Sequence, residues 1–290
     1  MKKFKGFLVY LLCFTALLCL FACDGGKGQN GGQNSGQNSG QNSGQNSGQN
    51  TFLITTQVKY GYTQASSNGQ TVYTFTKGGE YTLSGSLDGC LVFDAGLIES
   101  VTLYLDDCTI NSKTGAIYWN SEVGKIEIKA ISGTENQIVA GLDGALDINS
   151  AIDSNNNVEL GGSGKLMVIS HSKHAVKGSN VEIKGSVTLT IKAVKDGLHA
   201  KQVSVVGGDT VISDCIDGIQ ADLNSKGLKG TFSMTGGTLT IKNCGTAIQA
   251  QASVTVTAGA LKVNNCAKFL KTATYDIAPS TTTVDGVLFS

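Results

Sequence analysis

The sequence predicts an all-β solenoid, a parallel β-helix with capping ends, and three observations predict it. Between Val181 and Leu270 one unit recurs: a strand pair around a glycine turn, followed by a related clause. The clauses are Lys195-Asp196-Gly197-Leu198-His199-Ala200, Asp217-Gly218-Ile219-Gln220-Ala221, Gly245-Thr246-Ala247-Ile248-Gln249-Ala250 and Ala267-Lys268-Phe269-Leu270-Lys271-Thr272. Their central apolar residues Leu198, Ile219, Ile248 and Leu270 lie 21, 29 and 22 residues apart. A period near 21 or 22 with three short strands is what one coil of a parallel β-helix needs, and the spacing of 29 is explained by a loop inserted at 222–230. The second observation is alternation. The inward column through Leu198 extends back to Val176, Leu146 and Ile117, while the next position reads Tyr118, Asp147, Lys177, His199, Gln220, Gln249 and Lys271, a polar outward stripe. Composition is the third: 38 glycines, one proline, 40% hydrophobic residues and 15% charged residues suit a turn-rich β repeat with a sizeable core.

Taken in order, the chain opens with a segment outside this fold. Residues 1–22 combine Lys2, Lys3 and Lys5 with an apolar run from Phe7 to Phe21 that is short for a membrane span. The run ends Leu20-Phe21-Ala22-Cys23, similar to a bacterial lipoprotein signal, in which Cys23 would become the lipid-bearing N-terminus. An ordinary secretory signal is the alternative. Either makes the chain exported, and the first anchors it at the cell surface or periplasmic face of a membrane. Residues 23–51 then form a linker in which Gln-Asn-Ser-Gly recurs four times without one apolar side chain. Such a stretch is a solvated coil with an r.m.s. reach of roughly 30 Å. The folded module is expected over 52–290, its first stretch to residue 76 capping one end and 275–290 the other. Between the caps, Tyr81 to Leu87, Val101 to Leu105, Ile126 to Ile128 and Val158 to Leu160 read as strands of longer coils, with larger loops.

Net charge is zero, which gives no pointer to nucleic acid, and all 22 basic residues are lysine. Cys215, Cys244 and Cys266 share a column, each four residues before its inward Ile or Leu, beside a second column of Asp214, Asn243 and Asn265. Soft packing inside a narrow coil accounts for the cysteines, and turn bonding for the Asn/Asp column. Cys90 and Cys108 are a further pair that export would permit to oxidise.

Asp196 above Asp217 puts two carboxylates about 5 Å apart on adjacent coils. Like charges that close call for a cation between them, and oxygen ligands suit Ca²⁺, with Asp222 at the mouth of the inserted loop as a third ligand. Asp-Gly as turn chemistry is the competing reading. Tyr104, Tyr118 and Trp119 could stack on sugar rings, and Trp119 could instead anchor a loop in the core. Lys177, Lys195, His199, Gln220 and Gln249 offer the polar groups of a sugar-binding face. His171, His174 and His199 show no metal-ligand spacing along the chain.

The aspartate clauses, together with Gly79-Glu80-Tyr81-Thr82-Leu83-Ser84-Gly85, Val101-Thr102-Leu103-Tyr104-Leu105-Asp106, Gly162-Ser163-Gly164-Lys165-Leu166 and Gly236-Gly237-Thr238-Leu239-Thr240-Ile241, resemble bacterial carbohydrate-binding-domain-containing lipoproteins. That family has a pectate-lyase-like right-handed parallel β-helix, and the resemblance runs in order over roughly residues 70 to 270. It implies Ca²⁺ and a polysaccharide partner, polygalacturonate-like or cellulose-like. Lys195 stands where the family has the first residue of Asp-Asp-Gly, and Thr246 and Lys268 replace acidic residues in the last coils. The expectation is therefore a monomeric, non-catalytic, Ca²⁺-dependent carbohydrate binder. Its alternatives are a surface adhesin or structural envelope protein, and a polysaccharide lyase. Pectate-type lyases commonly take the proton with arginine, which this chain lacks; Lys195 or Lys177 would have to serve.

Overall fold

The structure, a computed structural model, describes residues 51–289 except 95, 143, 145–147 and 224–225. Residues 1–50, with the expected signal, Cys23 and nearly all of the linker, lie outside the described residues. Every regular element among the described residues is a strand, and 23 strands join in one continuous sheet.

Pairing between strands is parallel through the body of the module, each strand meeting its equivalent one coil further on. Three ladders result. The first runs through Lys125–Ala130, Asn157–Gly162, Asn180–Ile183, Gln202–Val205 and Thr231–Met234. The second runs through Glu135–Ala140, Lys165–Ser170 and Thr188–Ala193, then 209–213, 238–242 and Ala260–Asn264. The third contains Ile117–Trp119, Ser150–Ser154, His174–Lys177 and Asp196–Ala200, then 217–221, 246–250 and 268–272. Period-2 alternation sends every second side chain of each ladder inward. In the third ladder Leu91, Ile117, Ile152, Val176, Leu198, Ile219 and Ile248 stack in register and are fully buried.

One rung differs from expectation. Leu146 and Asp147 lie outside the described residues, and the slot between Ile117 and Val176 is taken by Ile152, with Asp153 on the outward side. The connection before that strand is longer than the sequence spacing suggested, and Ala-Leu-Asp there imitates the repeated clause.

The turns between the second and third ladders need a left-handed backbone, and Asp214, Asn243 and Asn265 adopt it at φ 60°, 56° and 52°. Asn and Asp tolerate that region better than other side chains. Their side chains also bond to one another, Asn243 Nδ2 donating to Asp214 Oδ1 at 3.1 Å and Asn265 Nδ2 to Asn243 Oδ1 at 2.9 Å. Beside them Cys215 and Cys244 are register partners with sulfurs 2.7 Å apart. All five cysteines of the described module are free thiols, Cys90 and Cys108 included. Those two lie on different ladders, Cys90 opposite Val72 and Cys108 opposite Gly85.

At the N-terminal end, Leu53–Thr55 pairs antiparallel with 82–84, and Tyr62–Ser67 pairs antiparallel with Gln70–Phe75. Gln70–Phe75 is already a rung of the third ladder, so the cap is smaller than the 52–76 expected. At the other end Tyr275 to Ile277 still continues the first ladder, and only Val287–Leu288 turns antiparallel, against Thr282–Val284.

Candidate functional site

The third ladder positions the site. Its outward column reads Tyr118, Asp153, Lys177, His199, Gln220, Gln249 and Lys271 in unbroken register. Tyr118, Lys177, His199, Gln220 and Gln249 are thereby brought onto one face, as the repeat predicts, with Asp153 added. Each is half-buried, and the polar ends of Tyr118, His199 and Gln220 also bond to neighbours within the chain. A shallow depression of about 250 Å³ opens at the end of this column, lined by Gln249, Gln251, Lys271 and Thr272. Gln251 and Thr272 were not anticipated as part of the face: Gln251 follows the repeated clause by one residue, and Thr272 is the clause's last residue, in register with Ala250.

Trp119 does not join this face. One residue past outward Tyr118, it points inward and is 1% exposed. It packs tilted against Phe93, ring centroids 5.4 Å apart, and Phe93 in turn stacks on Phe75 at 4.6 Å. A tryptophan so placed fills the coil and cannot meet a sugar, which corrects the expected platform. Tyr104 belongs to the first ladder, where its hydroxyl donates to Glu80 Oε1 at 3.1 Å and Lys129 Nζ stands 5.6 Å from its ring centroid. Tyr118 remains as the aromatic of the stripe, its hydroxyl accepting from the Gly115 backbone N–H at 2.6 Å.

The same alternation decides the aspartates. Asp196 and Asp217 are register partners, two residues before inward Leu198 and Ile219, so their side chains share the inward parity. Asp196 is 0% exposed and Asp217 8%. Ser150 and His174 precede them in this column, and Thr246 and Lys268 follow. His174 Nδ1 lies 2.9 Å from Asp196 Oδ2, and His199 Nδ1 lies 3.2 Å from the same oxygen. The other nitrogen of His199, Nε2, is 2.9 Å from Asp222 Oδ2, and Gln220 Nε2 donates to both Asp222 oxygens at 3.1 and 3.2 Å. Lys195 Nζ stands 4.0 Å from Asp196 Oδ2, at the exposed rim.

Burial by itself would push the Asp196 carboxyl up, but hydrogen bonds from His174 and His199, with the charges of His174 and Lys195, hold it down at about 2. Burial lowers His174, against the pull of Asp196. Asp217 is raised, by burial first and then by the Asp196 charge, with the Thr246 hydrogen bond opposing.

This geometry does not fit the expected calcium site. Ca²⁺ takes about 6–8 oxygen ligands, whereas the imidazole of His199 stands between Asp196 and Asp222, and two ring nitrogens crowd the Asp196 carboxylate. The His199 imidazole thus keeps Asp222 from sharing an ion with Asp196, and the side chains whose donor atoms converge are His174, Asp196 and His199 rather than the three aspartates. His174 was the missed residue. Its distance along the chain hid it, but its place two before Val176 put it in the aspartate column.

A family model described as "Carbohydrate-binding domain-containing protein" matches residues 68–287. Among curated proteins none matches. Among solved structures, the polysaccharide lyase-like protein from C. thermocellum, determined as a gadolinium derivative, is similar at TM-score 0.66 and 25% identity, over 77% of this chain and 92% of that one.

Proposed function

This chain belongs to the family of carbohydrate-binding domain-containing proteins, and from that premise we propose that it is an exported, lipid-anchored, non-catalytic binder of a cell-wall-type polysaccharide, polygalacturonate-like or cellulose-like. The observation that carries the reading is the outward column of the third ladder. Tyr118, Lys177, Gln220, Gln249 and Lys271 present amide, ammonium and phenol groups along one line. Rungs repeat about every 4.8 Å, so a long extended ligand can touch several of them, each contact modest and the sum specific.

The ring of parallel ladders is read as a right-handed parallel β-helix, held off the membrane by the Gln-Asn-Ser-Gly linker and by lipid on Cys23. The reading needs no calcium at Asp196, Asp217 and Asp222, since the His199 imidazole stands between Asp196 and Asp222. The test is a pull-down on insoluble cellulose and on cross-linked polygalacturonate, each with and without chelator, followed by assay of the supernatant for unsaturated uronate products. Retention on one polymer with no unsaturated product supports the binder. Release of unsaturated product makes the protein a lyase, and no retention on any polymer leaves the adhesin or structural role.

A further inference from the structure

We propose that His174, His199 and Asp196 bind a divalent transition-metal ion of the zinc class, with Asp222 holding His199 in its ligating orientation. This proposal stands apart from the sugar reading and can fail or succeed without it. Three donor atoms converge: His174 Nδ1, His199 Nδ1 and Asp196 Oδ2. Their separations are 2.9 Å and 3.2 Å from each nitrogen to the oxygen, and 3.3 Å between the nitrogens. A tetrahedral Zn²⁺ with bonds of about 2.0–2.1 Å holds its ligand atoms about 3.3 Å apart. The triangle thus matches one face of that tetrahedron with little movement.

The triangle is poorly satisfied by protons alone. If both imidazoles carry hydrogen on Nδ1, both donate to Asp196 Oδ2, but the two N–H groups then crowd each other across 3.3 Å. If His199 Nδ1 is bare, its lone pair faces a lone pair of Asp196 Oδ2 at 3.2 Å and is relieved only by sharing the His174 Nδ1 proton across 3.3 Å. A cation at the centre removes both conflicts. Each imidazole then keeps its proton on Nε2, and at His199 that proton meets Asp222 Oδ2 at 2.9 Å. A carboxylate on the far nitrogen of a ligating histidine is the usual outer support of such sites, and Gln220 steadies Asp222 in turn.

A second observation points the same way. Asp196 is fully buried, and its Oδ1 has no hydrogen-bond partner. An unpaired buried carboxylate oxygen is costly, and a bound ion can take it as a further ligand. Two imidazoles and one carboxylate favour zinc-class ions over Ca²⁺ or Mg²⁺, which prefer all-oxygen shells. Lys195 Nζ, 4.0 Å from Oδ2, is on an exposed side chain that can swing away.

The experiment is titration of the whole metal-free protein with Zn²⁺ by calorimetry, with Co²⁺ as a spectroscopic probe and thermal unfolding followed beside it. Expected are one saturable site, a tetrahedral Co²⁺ band without thiolate charge transfer, a higher unfolding midpoint with Zn²⁺, and no such response to Ca²⁺. His199→Ala, at a part-exposed position, should abolish the band and the shift, and His174→Ala should do the same. Asp222→Asn should weaken binding by about 10–100-fold. Cys215→Ser/Cys244→Ser should leave it unchanged. Unfolding midpoints of all variants without metal separate misfolding from ligand loss. No saturable site in the parent protein, binding that persists in folded His199→Ala, or binding lost in the cysteine variant would each overturn the proposal.

Discussion

Replacing Trp119 separates a core role from a sugar-stacking role. Its side chain is buried and packs tilted at 5.4 Å against Phe93, and its indole N–H has no hydrogen-bond partner. Trp119→Ala removes the whole ring from a coil that cannot close over the void. Large-to-small changes of this kind cost about 3–5 kcal/mol, and loss of the aromatic pair adds about 0.5–1.5 kcal/mol. Trp119→Phe keeps a ring in register below Phe93. It also deletes the unpaired N–H, whose burial costs about 1–3 kcal/mol, so the net loss should stay within about 1.5 kcal/mol. Urea unfolding followed by far-UV circular dichroism reads both variants without needing the lost fluorophore. The polysaccharide pull-down at a temperature where both are folded reads function, and Trp119→Phe should bind as the parent does. A Phe variant that is as stable as expected but no longer retained on polymer would refute the buried placement and return Trp119 to the binding face.

Three further outcomes follow from the ladders. Gln249→Ala and Lys177→Ala on the outward column should each weaken polymer retention by up to about tenfold, while stability stays within about 0.5 kcal/mol of the parent; unchanged retention in the double variant would remove this face from the binding site. Asn243→Ala keeps the left-handed turn at φ 56° while losing its bonds to Asp214 and Asn265, and should cost about 1–2 kcal/mol by chemical unfolding, with Asn243→Gly costing less. On the first ladder Lys184 Nζ bridges Glu127 at 2.6 Å and Glu159 at 2.5 Å. Burial pulls both carboxyls up, but the lysine hydrogen bonds and charges prevail and hold them below their ordinary value of 4.5. Carboxyls depressed on folding contribute stability above 4.5 that is lost as pH falls through and below it. Lys184→Ala should therefore lower the unfolding midpoint at pH 7 and flatten its decline toward acid; an equally steep acid limb in the variant would contradict the bridge.

How much of this was legible in the sequence depended on the distance between equivalent residues. From Leu198 onward the coils keep their length apart from one insertion, and the expected neighbours Leu198, Ile219, Ile248 and Leu270 are the observed ones. Before Val176 the connections vary, and a decoy at Leu146 took the place of Ile152 because local composition alone cannot fix register. Parity was the signal left unused at the site. With Leu198 inward, Asp196 had to be inward too, and Trp119 had to share the side of Ile117. The same step back from Val176 places His174 above Asp196. Gln251 follows the repeated clause and so carries no periodic mark, while Thr272 has a marked place in register with Ala250; only the folded path reveals both beside Gln249.

The antiparallel strands at the N-terminal end have a consequence for association between copies. A stack of parallel rungs is an open template, since the last rung offers unpaired N–H and C=O groups that an identical neighbour could extend. Leu53–Thr55 and the Tyr62–Ser67 hairpin run against the stack and cover that template on the first and third ladders. A second copy arriving in the propagating orientation finds strands of the wrong direction and a polar, exposed edge at 63–67. Strand-by-strand addition of a second copy at this end is thereby opposed on two of the three ladders.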